Sequence, residues 1–216
     1  MATINDLAEY IDEHCDRILE RLDTESVDVY VFLCDRFAAS DVMEDRIFQF
    51  VFRSYYRLDS AGLTSEFKIT YFKKLQALRT FKVIDLRCLL MEFFPIPTLQ
   101  GNRSLHFSFV SKLAHTINPS YPIYDSQVRK VFGFALPNYG RVESRIDKLL
   151  TFYSRLQSTY ARITAGGLMR QTICSFETRF PAHCAKLSST KVLDFIFWST
   201  GKLIEDGKLE APPVLW

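Results

Sequence analysis

Two side chains near the middle of the chain could do chemistry together: the amine of Lys112 and the carboxylate of Asp125, 13 positions further on. A deprotonated amine attacks an electrophilic carbon and can form a Schiff base, while a fixed carboxylate stabilises positive charge that appears in a transition state. Lys112 must first lose its proton against an ordinary pKa of about 10.4, which desolvation beside Phe109 and Leu113 or repulsion from neighbouring cations can bring about. Asp125 stands immediately before a short helical run. A carboxylate there accepts the free N–H groups of the first turn, and the helix dipole keeps it ionised.

Two helices around a reversal must position this pair. From Ser104 onward, Leu105, Phe109, Leu113 and Ile117 recur every four residues and make one apolar stripe, with Lys112 on another face. Pro119 ends that helix because its ring disfavours helical backbone angles at Asn118. Tyr121-Pro122-Ile123-Tyr124 reads as extended and delivers Asp125 to a second helix, Ser126 to Phe132. Arg129 and Lys130 lie in its first turns, where they suit phosphate contacts.

Residues 111–133, SKLAHTINPSYPIYDSQVRKVFG, resemble the centre of the helix-hairpin-helix (HhH-GPD) DNA glycosylases, the superfamily of endonuclease III and the 8-oxoguanine glycosylases. Members carry a Lys at the start of the helix after a hairpin, then a segment Pro-hydrophobic-Asp-polar-x-Val-x-Arg. Pro122, Asp125, Ser126, Val128 and Arg129-Lys130 fall in that order. With the helix before it, the similar stretch covers about 30 of 216 residues.

The resemblance implies an all-α, multi-helix orthogonal bundle, double-stranded DNA as the partner, Lys112 as nucleophile and Asp125 as the essential carboxylate. No metal or cofactor is expected, on the cysteine pattern given below. The damaged base, such as 8-oxoguanine, has to leave the duplex for a pocket. Phe107, Tyr121 and Tyr124 are available to stack on it. Where the family has a glycine-rich hairpin, this chain has Ser108-Phe109-Val110-Ser111. The turn from Thr98 to Arg103 is the Gly-bearing one near Lys112, so Asn102 and Arg103, together with Ser111, Arg129 and Lys130, are the expected DNA contacts.

Composition bounds the rest. With 48% hydrophobic and 14% aromatic residues, 216 residues can bury a large core, and 8 Gly and 8 Pro suit helices better than tight β-turns. No apolar run approaches the ~20 residues of a membrane span and the N-terminus is acidic, so the expectation is a cytoplasmic protein without a membrane partner. The five cysteines are scattered, with no Cys-x-x-Cys pair, which speaks for reduced thiols and against structural zinc or an iron–sulfur cluster. Residues 1–45 carry 13 acidic and 3 basic side chains, leaving 24 basic against 12 acidic in residues 46–216. A basic body suits a polyanion, although solvated helix faces would show the same balance.

Along the chain, helices are predicted from Thr3 to Leu22, from Ser26 to Phe37, and after Ser40, with Asp41 and Glu44 as a capping box. Val27, Val29 and Val31 also fit a short strand. Further helices run from Thr64 to Arg79, Ile84 to Phe93, Val142 to Ile163, Met169 to Phe180 and Ser188 to Ile204, separated by Pro95-Ile96-Pro97, the turn Leu136 to Gly140, and Gly166-Gly167. The tail Ala211 to Trp216 reads as extended. The total is about eight or nine helices in one all-α domain over residues 1–216, or in two interlocked lobes meeting near residues 95–104. The leading function is base excision with a Schiff-base lyase step. The alternatives are a catalytically inactive module of the same fold that binds DNA or a protein partner, and a helical interaction protein unrelated to DNA.

Overall fold

A computed structural model describes residues 3–137, 139–213 and 215. Within them the protein is all-α, with twelve helices and no strand beyond an isolated antiparallel bridge between Leu63 and Thr98. The chain divides into two units, residues 25–121 and residues 1–24 with 122–216.

The unit of residues 25–121 holds α3 (Thr24–Ala39, which begins one residue before it), α4 (Arg46–Tyr55), α5 (Ser65–Ala77), α6 (Leu86–Phe93) and α7 (Phe107–Ile117). The alternating valines are helical, since Val27 lies on a buried face with Tyr30, Leu33 and Phe37. The core is aromatic: Phe52 and Phe72 meet at 5.7 Å and Phe67 and Phe93 at 4.9 Å between ring centres. Thr64 caps α5 as expected, and Phe67, Tyr71, Phe72 and Leu75 are its buried face.

The capping box at Asp41 and Glu44 does not form. Asp41 accepts the N–H of Met43 in a turn, and the cap is Asp45, which accepts from Phe48. The reason is tertiary: Arg36 pairs with Asp45 at 2.7 Å and the Ser40 hydroxyl donates to it, and the Arg36 guanidinium holds its carboxyl well below the usual range. That fixes the start of α4 four residues later.

The other unit holds α1 (Ile4–Glu13), α2 (Cys15–Glu20), α8 (Ser126–Val131), α9 (Val142–Gly166), α10 (Arg170–Arg179), α11 (Pro181–Cys184) and α12 (Ser189–Glu205). The predicted first helix is interrupted at His14, where ψ is 14°, and α11 has no counterpart in the sequence reading, so the helix count exceeds the expected eight or nine. Gly167 closes α9 with φ 60°, the left-handed conformation glycine adopts without strain. Asn138 in the turn after α8, and Val214 and Trp216 in the tail, lie outside the described residues.

The acidic N-terminal helices are bound to the C-terminal part of the chain. Asp12 accepts from the N–H and the hydroxyl of Thr172, the Ser199 hydroxyl donates to Ile18 O at 2.8 Å, and the Tyr10 hydroxyl donates to Glu210 O.

Helix α12 comes directly against the backbone of α8 at Gly201. An added Cβ on Gly201 would stand 2.3 Å from the carbonyl oxygen of Gln127 and 2.7 Å from its Cα, far inside contact distance with backbone that cannot swing aside. Gly201→Ala is therefore expected to separate α12 from α8 and to destabilise the protein by about 1–3 kcal/mol or more. Urea denaturation checks this, and an unchanged midpoint would show that the two helices do not meet there.

Candidate functional site

The residues singled out by their chemistry fall in both units: Lys112 belongs to residues 25–121 and Asp125 to the unit that resumes at Pro122.

Around Lys112, helix α7 begins at Phe107, with His106 as its N-cap in the left-handed conformation at φ 49° and without a side-chain capping bond. Ser108 to Ser111, the counterpart of the family's hairpin, are helical, and Lys112 sits in the second turn. The buried face of α7 is Phe107, Val110, Ser111, Leu113, Ala114 and His115; of the expected stripe Leu105 and Leu113 are buried and Phe109 and Ile117 are half-buried. Lys112 is half-buried. Its Nζ lies 3.5 Å from Tyr56 O and stands over the rings of Tyr56 (5.7 Å) and Phe109 (5.2 Å). Two aromatic faces thus flank the amine.

Ser111 has no exposed surface, and its hydroxyl donates to Ser108 O at 3.0 Å. Phe107 is buried, whereas Tyr121 is half-buried and its hydroxyl accepts the Ile84 N–H at 3.1 Å. His115 is buried. Its Nδ1–H donates to Tyr121 O at 2.7 Å, which leaves Nε2 to accept from the Tyr30 hydroxyl at 2.8 Å. His106 packs 4.7 Å from Phe67, and burial pushes its imidazole down to about 4, so it is neutral at pH 7. The turn at 98–102 is closed by Thr98 N–H donating to Asn102 O and is joined to the start of α5 by Leu99 N–H donating to Gly62 O, both at 2.8 Å. Asn102 and Arg103 are exposed.

Asp125 lies in the other unit, with φ −147° and ψ −175°, at the head of α8. Its Oδ1 accepts the N–H groups of Gln127 (2.9 Å) and Val128 (3.0 Å), the cap expected of it. Its Oδ2 makes no hydrogen bond or ion pair among the described residues. Tyr124, expected to stack on a base, is 4% exposed, with its ring 5.8 Å from Phe152 and 6.4 Å from Phe134, and burial pushes its hydroxyl up. Arg129 is half-buried and has no ion pair among the described residues. Lys130 is committed: its ammonium pairs with Glu205 at 2.5 Å, and Lys202 and Gln127 bond the same carboxylate. Lys130 first and Lys202 second hold Glu205 down to about 2.

Sequence reasoning missed what holds the segment before Asp125. The Tyr153 hydroxyl donates to Pro122 O at 2.6 Å, and Asp194 Oδ1 accepts from Ile123 N–H at 3.0 Å and from the Tyr160 hydroxyl at 3.1 Å. One signal was available: Asp194 interrupts the apolar run Val192 to Trp198, and a buried polar residue is the informative one. Tyr56, a neighbour of Lys112, carried no signal. A cavity of about 450 Å³ between α9, α10 and α12 contains none of these residues.

Among the described residues no group of His, Cys, Asp or Glu is arranged to hold a metal ion, and no helix is long and apolar enough to cross a membrane. Among the described residues the protein is all-α, with an aromatic-flanked amine in one unit and a capping carboxylate in the other. No family model, curated protein or solved structure matches the chain.

Two outcomes follow for this region. Asp125→Ala should cost about 1 kcal/mol of stability and Asp125→Asn less, because Asn still caps. Equal costs would show that Oδ1 is not the cap. Lys130→Met should raise the Glu205 titration midpoint from about 2 towards its ordinary 4.5, read by carboxyl carbon NMR. A depressed acid stabilises the fold above about 4.5 and loses that contribution as pH falls through about 2, so the variant loses its stability at a higher pH than the wild type.

Proposed function

We propose that this protein binds double-stranded DNA and excises a damaged base such as 8-oxoguanine, in the manner of the helix-hairpin-helix glycosylases that residues 111–133 resemble. The observation that supports the reading most is the division of labour on Asp125: one oxygen is fixed by two backbone N–H groups and the other is uncommitted, in a carboxylate placed on rigid backbone. Loss of a base builds positive charge on the deoxyribose, and an immobile carboxylate oxygen stabilises that charge more in the transition state than before it. Lys112 is the nucleophile. As a neutral amine it bonds to C1′ of the sugar while the base departs with the bonding electrons, and loss of the amine protons and ring opening then give a Schiff base from which the 3′ phosphate can be eliminated. Arg129, in the last turn of α8 and without an ion pair among the described residues, and Arg103, exposed beside the turn at 98–102, are available to the DNA backbone.

A second reading, a DNA- or protein-binding module without catalysis, is favoured by the course of α7. Its first turn occupies the positions of the family's hairpin, so Lys112 does not open the helix.

Borohydride trapping on a duplex containing 8-oxoguanine separates the two. The wild type is expected to form a covalent adduct, Lys112→Ala none, and Asp125→Asn to slow adduct formation at least about a hundredfold. Arg129→Ala should weaken DNA binding uniformly across sequences and reduce the slope of log affinity against log salt by about 1. Salt-dependent binding with no wild-type adduct supports the module, and absence of DNA binding removes the excision reading and the DNA-binding form of the module.

A further inference from the structure

Helix α12 is largely apolar but buries two charged residues, Lys191 and Asp194. Asp194 is 3% exposed between Leu193 and Phe195, which are 1% and 4% exposed. A carboxyl in such surroundings costs stability unless hydrogen bonds repay the lost water, and an apolar residue of similar volume would fill the space without that cost. What Asp194 provides is an acceptor for a backbone N–H that has no helix or sheet to serve it. Ile123 lies in the extended segment between α7 and α8, two residues before Asp125, and its N–H ends on Asp194 Oδ1 at 3.0 Å. The same oxygen receives the Tyr160 hydroxyl, and the preceding carbonyl, Pro122 O, is taken by Tyr153. Tyr153 of α9 and Asp194 of α12 thus hold the C=O and N–H of one peptide unit, and Tyr160 of α9 holds the Asp194 carboxyl. The buried Tyr124 ring then leaves Asp125 little freedom in where it begins α8.

We infer that Asp194 is a positioning residue for Asp125: by holding the Ile123 N–H it fixes where the Asp125 carboxylate stands. The inference rests on the reading of Asp125 as the working carboxylate. It also explains why a costly buried acid occupies a position that leucine could fill. Burial pushes the Asp194 carboxyl up to about 7, opposed by Lys191, the Ile123 N–H and the Tyr160 hydroxyl and assisted by the charge of Asp125. Because both forms accept at Oδ1, asparagine is the conservative replacement and leucine the disruptive one.

The test compares Asp194→Asn with Asp194→Leu by amide hydrogen exchange and single-turnover excision. Asp194→Asn should keep the exchange of Ile123, Gln127 and Val128 within about twofold of wild type. Asp194→Leu should speed Ile123 at least about tenfold and carry Gln127 and Val128, whose acceptor is Asp125, with it. Excision should slow at least about tenfold in Asp194→Leu while the DNA Kd stays within about twofold, with Asp194→Asn near wild type. If Asp194→Leu does not fold, Asp194→Thr replaces it, since its hydroxyl bonds back to its own helix instead of reaching Ile123. Faster exchange at Ile123 with Gln127 and Val128 unchanged overturns the inference. A wild type that excises nothing but shows the coupled exchange counts against the glycosylase reading and not against the coupling, so the two failures are distinguishable.

Discussion

A peptide that leaves regular structure inside a protein must find partners for its N–H and C=O groups, and here that demand falls on the eight residues between α7 and α8. Side chains meet it one group at a time. Asn118 accepts from Ser120 and donates to Lys82 O, His115 donates to Tyr121 O, Tyr153 to Pro122 O, and Asp194 accepts from Ile123. Asn118 acts from within the segment, whereas His115, Tyr153 and Asp194 are fixed by α7, α9 and α12, so the conformation from Tyr121 to Ile123 is set by groups on those helices. Asp125 inherits its place from that arrangement.

The second constraint is the contact of α8 with α12. A six-residue helix has little stability of its own. It persists because Gly201 lets α12 come against its backbone, Phe132 packs 5.1 Å from Phe197, and the carboxylate of Glu205 gathers Lys130, Lys202 and the Gln127 amide. The same contact that steadies the capping carboxylate also removes one of the two adjacent cations from use. Lys130 neutralises Glu205, whereas Arg129 keeps its charge available. Adjacent residues of similar chemistry therefore differ in what they can bind, for a reason that lies 75 positions away in the chain.

The acidic N-terminus has a structural role that needs no polyanion elsewhere. Asp12 bonds Thr172, and α1 and α2 lie against α10 and α12, so the first helices are part of the core built by the last ones. Much of the acidic surface is the outer face of amphipathic helices whose inner face is buried.

Much of this was legible in the residues. Leu7, Ile11, Ile18 and Leu22, like Phe67, Tyr71, Phe72 and Leu75, repeat with helical period and are buried, and Thr64, Ser188 and Asp125 are caps because their side chains reach N–H groups two or three residues on. Such features depend on neighbours within one or two turns, so local sequence determines them. Where a distant partner competes, it decides: Arg36 moved the cap from Asp41 to Asp45, and packing extended the buried face of α7 beyond Leu105 and Leu113 and took Ser111, Phe107 and Tyr124 out of solvent. Asp194, Tyr153 and Gly201 act on residues between 31 and 74 positions away, and no periodicity encodes which backbone group will arrive opposite them. The sequence by itself determined an all-α chain with a helix-capping carboxylate at Asp125. Only the tertiary structure decided which of that carboxylate's oxygens is spent and which cations remain unpaired, because those depend on contacts that exist only once the helices have packed.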